Sequence, residues 1–147
     1  MSPAVIAYRV SRRLHLWGLK RTSRTLDWLN RLTFAGWVPG SASIGRDVKL
    51  GYLSLGIVIH SDARIGDSCT IAQNVTIGTK HPGGPVPVIG NHVYLGAGCV
   101  VLGGVRIGDN VTIGANSVVT TDIPDGSIAV GIPAKVLGKI ERAGPES

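Results

Sequence analysis

Residues 88–119 read "VIGNHVYLGAGCVVLGGVRIGDNVTIGANSVV", and a large aliphatic side chain recurs at every sixth position: Ile89, Leu95, Val101, Ile107, Ile113 and Val119. Glycine follows at Gly90, Gly96, Gly108 and Gly114, and four residues after each aliphatic stands something small or β-branched: Val93, Cys99, Val105, Val111, Ser117. A period of six fits neither an α-helix nor a meander of hairpins. It suits a coil of short strands in which each side turns one aliphatic inward, a small residue fills the space beside it, and glycine helps the chain round the corner.

The same register runs upstream through Ile59, Ile65, Ile71 and Ile77, with Ala63, Cys69 and Val75 as the small partners and Gly66 and Gly78 at the corners, so that ten hexads share one template. Looking for repeats first therefore decides the fold class. The expectation is an all-β chain, a parallel β-helix over residues 39–131, preceded by a basic helical segment over 1–38 and followed by a cap and tail over 132–147. Two phase events interrupt it. Ile44 and Leu50 are in step with each other but not with Ile59, and Ile77 is separated from Ile89 by twelve residues, the gap being filled by the glycine- and proline-rich "GTKHPGGPVPV". One side of the coil is expected to be replaced there by a loop over residues 79–88.

Composition narrows the class further. A chain of 147 residues is one domain's worth. Its 21 glycines are about twice the average share, as tight corners require. The net charge of +6 would suggest nucleic acid, but it is local. Residues 1–38 hold seven cations (Arg9, Arg12, Arg13, Lys20, Arg21, Arg24, Arg31) and one anion, Asp27, while the rest of the chain holds eight of each sign. No nucleic-acid partner is expected. Cys69 and Cys99 lie in apolar hexads, without a C-x-x-C pair or a Cys/His cluster, so they read as buried thiols of a reducing, cytoplasmic setting and no metal is expected. No apolar run has the length of a membrane span.

In the N-terminal segment Ile6, Val10, Leu14 and Trp17, then Leu26, Leu29 and Leu32, recur at helical spacing, which predicts two helices divided near Gly18 with those faces packed on the coil and the arginines in solvent. The alternative is a basic amphipathic surface making peripheral contact with anionic lipid.

The stretches "IGDSCTIAQNVTIGT", "VIGNHVYLGAGCVVLGG" and "AVGIPAKVLGKI" resemble the hexapeptide-repeat acyltransferases, over about residues 40–140. The resemblance implies a left-handed β-helix, a homotrimer with active sites between subunits, and transfer of an acetyl group from acetyl-CoA, as co-substrate, to the hydroxyl of a small metabolite or sugar. "LGIVIHSDARIG" and the helical lead-in are most similar to the serine acetyltransferase branch. A histidine in that chemistry accepts the hydroxyl proton, because its ordinary pKa lies near neutrality. His81, in "TKHP", resembles the base of the related galactoside branch, and His60 is the second candidate. His15 and His92 read as packing and turn residues. The serine branch's own two histidines fall here on Tyr52 (or Leu53) and Val86. Tyr52 and Ser54 are accordingly assigned to acceptor binding. For acetyl-CoA the resemblance implies Ala97 and Ala115 against the pantetheine arm, Thr120 and Thr121 where the family has Thr-Lys, and Lys135 with Lys139 near the phosphates. A catalytically impaired scaffold, or transfer to the amine of an amino sugar, are the alternatives. A zinc-dependent β-helix would need three histidine ligands, and His60, His81 and His92 lack the close pair such sites use.

Overall fold

A computed structural model describes residues 3–140. The chain opens with α1 (Pro3–Leu16) and α2 (Lys20–Phe34). Gly18 divides them as the spacing predicts. It takes a positive φ of 83°, and the Gly18 and Leu19 amides donate to the His15 and Leu14 carbonyls, satisfying the free end of α1.

Four turns of coil follow, each contributing three short strands. The first turn holds β1 (Ser43–Ile44), β2 (Lys49–Leu50) and β3 (Val58–Ile59). The second holds β4 (Arg64–Ile65), β5 (Thr70–Ile71) and β6 (Thr76–Gly78). The third holds β7 (Val88–Ile89), β8 (Tyr94–Leu95) and β9 (Val100–Leu102), and the fourth β10 (Arg106–Ile107), β11 (Thr112–Ile113) and β12 (Val118–Val119). The chain ends in β13 (Ser127–Val130) and β14 (Lys135–Lys139).

Strands of successive turns pair in parallel and in register, giving three flat sheets. The first is β1-β4-β7-β10, the second begins β2-β5-β8-β11-β13, and the third is β3-β6-β9-β12. The fold is a left-handed hexapeptide-repeat β-helix with a short helical lead-in. All ten aliphatics read from the period point inward and are at most 4% exposed. Because partners are in register, identical positions stack through the core: Leu50, Ile71, Leu95 and Ile113 form one such column. A β-helix of this kind buries side chains in layers one strand spacing apart, and these layers are the core.

Both poles are finished by a change of geometry. At the lower pole Trp37 pairs with Val58, so coil hydrogen bonding begins slightly ahead of residue 39, and the helix pair lies over the first turn. At the upper pole β14 folds back antiparallel on β13, and the Ala134 amide donates to Val118 O. The tail beyond residue 140 lies outside the described residues.

The glycines help the corners through space rather than through φ. The glycines that follow the aliphatics do not have positive φ; the left-handed positions fall two residues later, at Asp47, Ser68, His92 and Asn110 on the corner between the first and second sheets, and at Asn74, Gly98 and Asn116 on the next. Asparagine and aspartate tolerate that region better than other non-glycine residues. What the glycines supply is room. A Cβ at Gly66 would stand 2.5 Å from Gly90 O, and one at Gly96 would stand 2.6 Å from Ala115 N. The turns stack so closely that the corner backbones touch.

Along the first corner a side-chain ladder tightens this stack. Arg46 N donates to Asp67 Oδ1 (2.7 Å), Asp67 N to Asn91 Oδ1 (2.8 Å), Asn91 N to Asp109 Oδ1 (2.6 Å) and Asp109 N to Asp125 Oδ1 (2.8 Å). The Arg46 amide, and after it the Arg46 guanidinium, hold the Asp67 carboxyl below its ordinary 3.8. A carboxylate whose folded pKa is depressed stabilises above the unfolded value, and the effect drains away as pH falls through the folded one. Asp67→Asn keeps the accepting oxygen and loses the charge. Denaturant titrations should therefore find the wild type's advantage over Asp67→Asn intact near neutrality and vanishing below about pH 4; a pH-independent gap would refute the role of the charge.

The packing of the helices corrects the sequence reading. Ala4, Val5, Tyr8 and Ser11 of α1 and Ser23 and Asp27 of α2 are buried, whereas Ile6, Val10, Trp17, Leu29 and Leu32 are exposed. Small residues let the backbones approach: a Cβ at Gly40 would stand 2.7 Å from the Ser11 carbonyl carbon. Hydrogen bonds then fix the contact. Tyr8 OH donates to Ala42 O (2.8 Å) and accepts from Ile44 N (3.1 Å), and both Asp27 carboxylate oxygens accept from Gly40 N. Two of the arginines expected in solvent are also engaged, Arg9 donating to Gly45 O and Arg12 to the carbonyls of Gly40, Ser41 and Ala42.

Candidate active site

The two phase events lie on different edges of the prism. The extra residues after β2 sit on the corner between the second and third sheets, and the 79–87 excursion sits on the corner between the third and first. His60 follows β3 and His81 follows β6, and these strands pair. The two candidate bases are therefore on one edge, a turn apart, with Thr120 and Thr121 above them after β12.

The excursion is built by its own sequence. His81-Pro82-Gly83-Gly84 forms a β-turn in which Gly84 N donates to His81 O (3.0 Å) and Gly83 has φ 72°. Proline at the second position and glycine at the third are what a type II turn demands. Gly84 has a further task, since a Cβ there would stand 2.8 Å from Cε1 of the His81 ring. The loop does not project freely. Its flanks lie on the glycine pair of the next turn, where a Cβ at Gly103 would meet the Lys80 stem at 3.1 Å and one at Gly104 would meet Pro85 at 2.9 Å. Lys80 Nζ then donates to Thr120 O (3.1 Å). The loop is thus seated and its histidine is exposed.

His60 is held differently. Its Nδ1 accepts from the Asp62 amide at 3.2 Å. An Nδ1 used as acceptor leaves the proton of the neutral ring on Nε2, which can then donate but not take a proton. Between this corner and the helices a cleft of about 380 Å³ opens, lined in part by His15, Lys20, Arg24, Trp37, Ser61 and Asp62.

On the neighbouring edge, Tyr52, Leu53 and Ser54 take φ values of 45°, 57° and 67° in succession. Left-handed backbone costs a non-glycine residue roughly 1–2 kcal/mol, so this turn is strained, as backbone at functional sites often is. Tyr52 is 76% exposed. Ser54 is not: it is buried beneath Gly36, and its carbonyl and hydroxyl occupy the space a side chain there would need. That withdraws Ser54 from the face where an acceptor would sit. Above Tyr52 on this edge come Ala97 and then Ala115, with Asn116 N donating to Ala97 O (2.8 Å). Lys135 opens β14 directly above, and Lys139 is at its far end, paired with Ser127.

Apart from Lys139, which lies across the second sheet, the candidate residues thus fall on two edges that flank the third sheet, whose outward positions are Val58, Thr76, Val100 and Val118. Neither cysteine competes for a chemical role. Both are buried, and desolvation pushes the Cys99 thiol up to about 12, so no thiolate is available as nucleophile. Among the described residues no three His, Cys, Asp or Glu side chains cluster as metal ligands. Lys80, Gly84 and the Gly103-Gly104 seat escape a reading of the sequence. The one available signal was that "VLGGV" puts a glycine pair on the corner one turn above the loop.

Residues 87–121 match the bacterial transferase hexapeptide (six repeats) family. The serine acetyltransferase of Helicobacter pylori is 40% identical over 92 residues, 61% of this chain and 53% of that protein. The serine acetyltransferase of Synechococcus elongatus is 38% identical over 92 residues, which cover 37% of it. Among solved structures, Neisseria gonorrhoeae serine acetyltransferase superposes with a TM-score of 0.88 at 34% identity, over 95% of this chain and 55% of that one. Brucella abortus serine acetyltransferase in complex with coenzyme A gives 0.84 at 27% identity, over 92% and 55%. The chain spans about half the length of the Helicobacter, Neisseria and Brucella proteins and little more than a third of the Synechococcus one.

Proposed function

We propose that the chain is an acetyl-CoA-dependent acetyltransferase that acylates a hydroxyl of a small acceptor and works as a homotrimer. The observation that carries this is the division of candidate residues between two edges on either side of one apolar sheet. A single copy leaves the alanine edge and the histidine edge separated by that sheet's width. A second copy laid against the third sheet would cover Val58, Val100 and Val118 and bring one copy's histidine edge to the other's alanine edge. Closed rings of identical contacts are how such heterologous faces are satisfied without open growth. The likeness to serine acetyltransferases, one of them solved with coenzyme A, supports the reading and makes serine the first acceptor to try.

In this reading the CoA arm runs along Ala97 and Ala115, where small side chains leave room for it, and Lys135 above them meets its phosphates, while Lys139 lies at the far end of β14, away from that path. His81 accepts the acceptor's hydroxyl proton as the oxygen attacks the thioester carbonyl. The carbon–sulfur bond then breaks, and the histidinium returns the proton to the departing CoA thiolate. Backbone N–H groups of the corner face the oxyanion. Tyr52, exposed on a strained turn, lines the acceptor side.

The test follows free CoA thiol while purified protein is offered acetyl-CoA with serine, sugars, amino sugars and other small alcohols, and sedimentation reports the mass. A trimer that releases CoA only with a hydroxyl acceptor is expected. Turnover only with amino sugars would move the acceptor to an amine. Tight acetyl-CoA binding with no turnover on any acceptor would make the chain an impaired scaffold, and a monomer at micromolar concentration would remove the shared site.

A further inference from the structure

The outer surface of the helix pair has no part in that reaction. Because α1 turns Ala4, Val5, Tyr8 and Ser11 inward, the opposite side of the same helix carries Ile6, Val10 and Arg13, with Trp17 just past its end. On α2 the side away from the coil carries Arg21, Trp28 and Leu32. The connection between the helices is apolar, with Leu16 67%, Trp17 74% and Leu19 50% exposed, and Lys20 and Arg21 follow at once. The charges that the helices themselves expose have one sign, with two acids of the coil at the margins, Asp47 beside Ile6, Val10 and Arg13 and Asp62 across the cleft from Lys20 and Arg24. Asp27, the single acid of residues 3–34, is buried against Gly40 N; Arg9 and Arg12 are spent on coil carbonyls. Arg13, Lys20, Arg21, Arg24 and Arg31 remain exposed.

Bulky apolar groups interleaved on the helices with cations, and with acids only where the coil begins, select their partner by chemistry. A second copy meeting this face across a twofold axis would set cations against cations. Nucleic acid would satisfy the cations and leave Leu16, Leu19 and Leu32 in water. The interfacial zone of an anionic bilayer satisfies both: aliphatic and indole groups enter at the level of the headgroups while lysine and arginine meet the lipid phosphates. We propose that the α1–α2 hairpin docks the protein on an anionic lipid surface, inserting the Leu16–Leu19 tip. The contact is peripheral, since no helix among the described residues is long and apolar enough to cross a membrane. It is independent of which acceptor the enzyme uses.

The experiment takes the full chain and extruded vesicles of phosphatidylcholine, with and without phosphatidylglycerol, and reads co-sedimentation and tryptophan emission. Binding confined to the phosphatidylglycerol vesicles, weakened by salt and accompanied by a blue shift, is expected. The tip pair Leu16→Ser with Trp17→Ser, and separately the charge pair Arg21→Glu with Arg24→Glu, should each weaken it roughly tenfold or more. All four positions are exposed, so circular dichroism and sedimentation should match the wild type. No binding, equal binding to pure phosphatidylcholine, or a change of oligomeric mass in the tip variant without vesicles would each overturn the proposal, the last by making the tip a contact between copies.

Discussion

His81→Ala should slow acetyl transfer at least about a hundredfold while oligomeric mass and acetyl-CoA affinity stay at wild-type values. A positioned general base contributes on the order of 10²- to 10⁴-fold, and the seat of the loop explains why little else should move. Pro85 against Gly104 and the Lys80 bond to Thr120 O fix the excursion without help from the imidazole. The matching variant is His60→Ala. The Nδ1 of that ring is already engaged by the Asp62 amide and the ring sits one turn below the loop, so the change should cost far less. Steady-state rates at saturating acetyl-CoA for both variants decide between them. Full activity in His81→Ala with loss in His60→Ala would transfer the role to His60 and make the loop a wall of the site.

Leu95→Ala should destabilise the fold by about 3–5 kcal/mol, lowering the melting temperature by on the order of 10 °C. Leu95 is fully buried in a middle turn, with Ile71 below it and Ile113 above it in the same column, both also fully buried. In-register backbone hydrogen bonds on both sides hold those neighbours at their spacing, so the cavity cannot close by collapse. Tyr94, the next residue on the same strand, points outward and is 46% exposed. Tyr94→Phe is the control and should stay within about 0.5 kcal/mol. Urea titrations of the two variants supply the numbers; a Leu95→Ala loss below about 1 kcal/mol at unchanged slope would mean the column relaxes after all.

The core was legible because the coil obeys a rule a sequence displays, one inward aliphatic per six residues, and Ile59 through Val119 keep it. The loop after Ile77 was legible as an absence of that rule. The helices were legible as elements but not in orientation. Hydropathy assigns the apolar stripe to the interior, yet Ala4, Val5, Tyr8 and Ser11 turn inward on α1 and Ser23 and Asp27 on α2, because close backbone approach at Gly40 and the hydrogen bonds of Tyr8 and Asp27 to the coil outweigh the burial of Ile6 and Val10. Nor does a sequence distinguish a glycine needed for its φ from one needed for room, so the pattern alone does not say which service the corner glycines perform. Of the site, the division into two edges came from topology: His60 and His81 are 21 residues apart in the chain and adjacent on one corner only because β3 pairs with β6. Ser54 was misplaced because burial beneath Gly36 depends on how the helix linker crosses the first turn.

A parallel stack has no built-in length. Each turn presents the next with the same row of unpaired amides and carbonyls, and a chain that simply stopped would offer that row to any other copy, as edge strands do in fibres. Here the lower row meets Trp37 and the helix pair, and the upper row meets β14 running the opposite way, with Ala134 N taking Val118 O. The two ends are therefore unlike each other and unlike the interior, so neither continues the parallel repeat. Within residues 3–140 the length of the coil is set by these two terminations rather than by the repeat, which on its own would specify a filament.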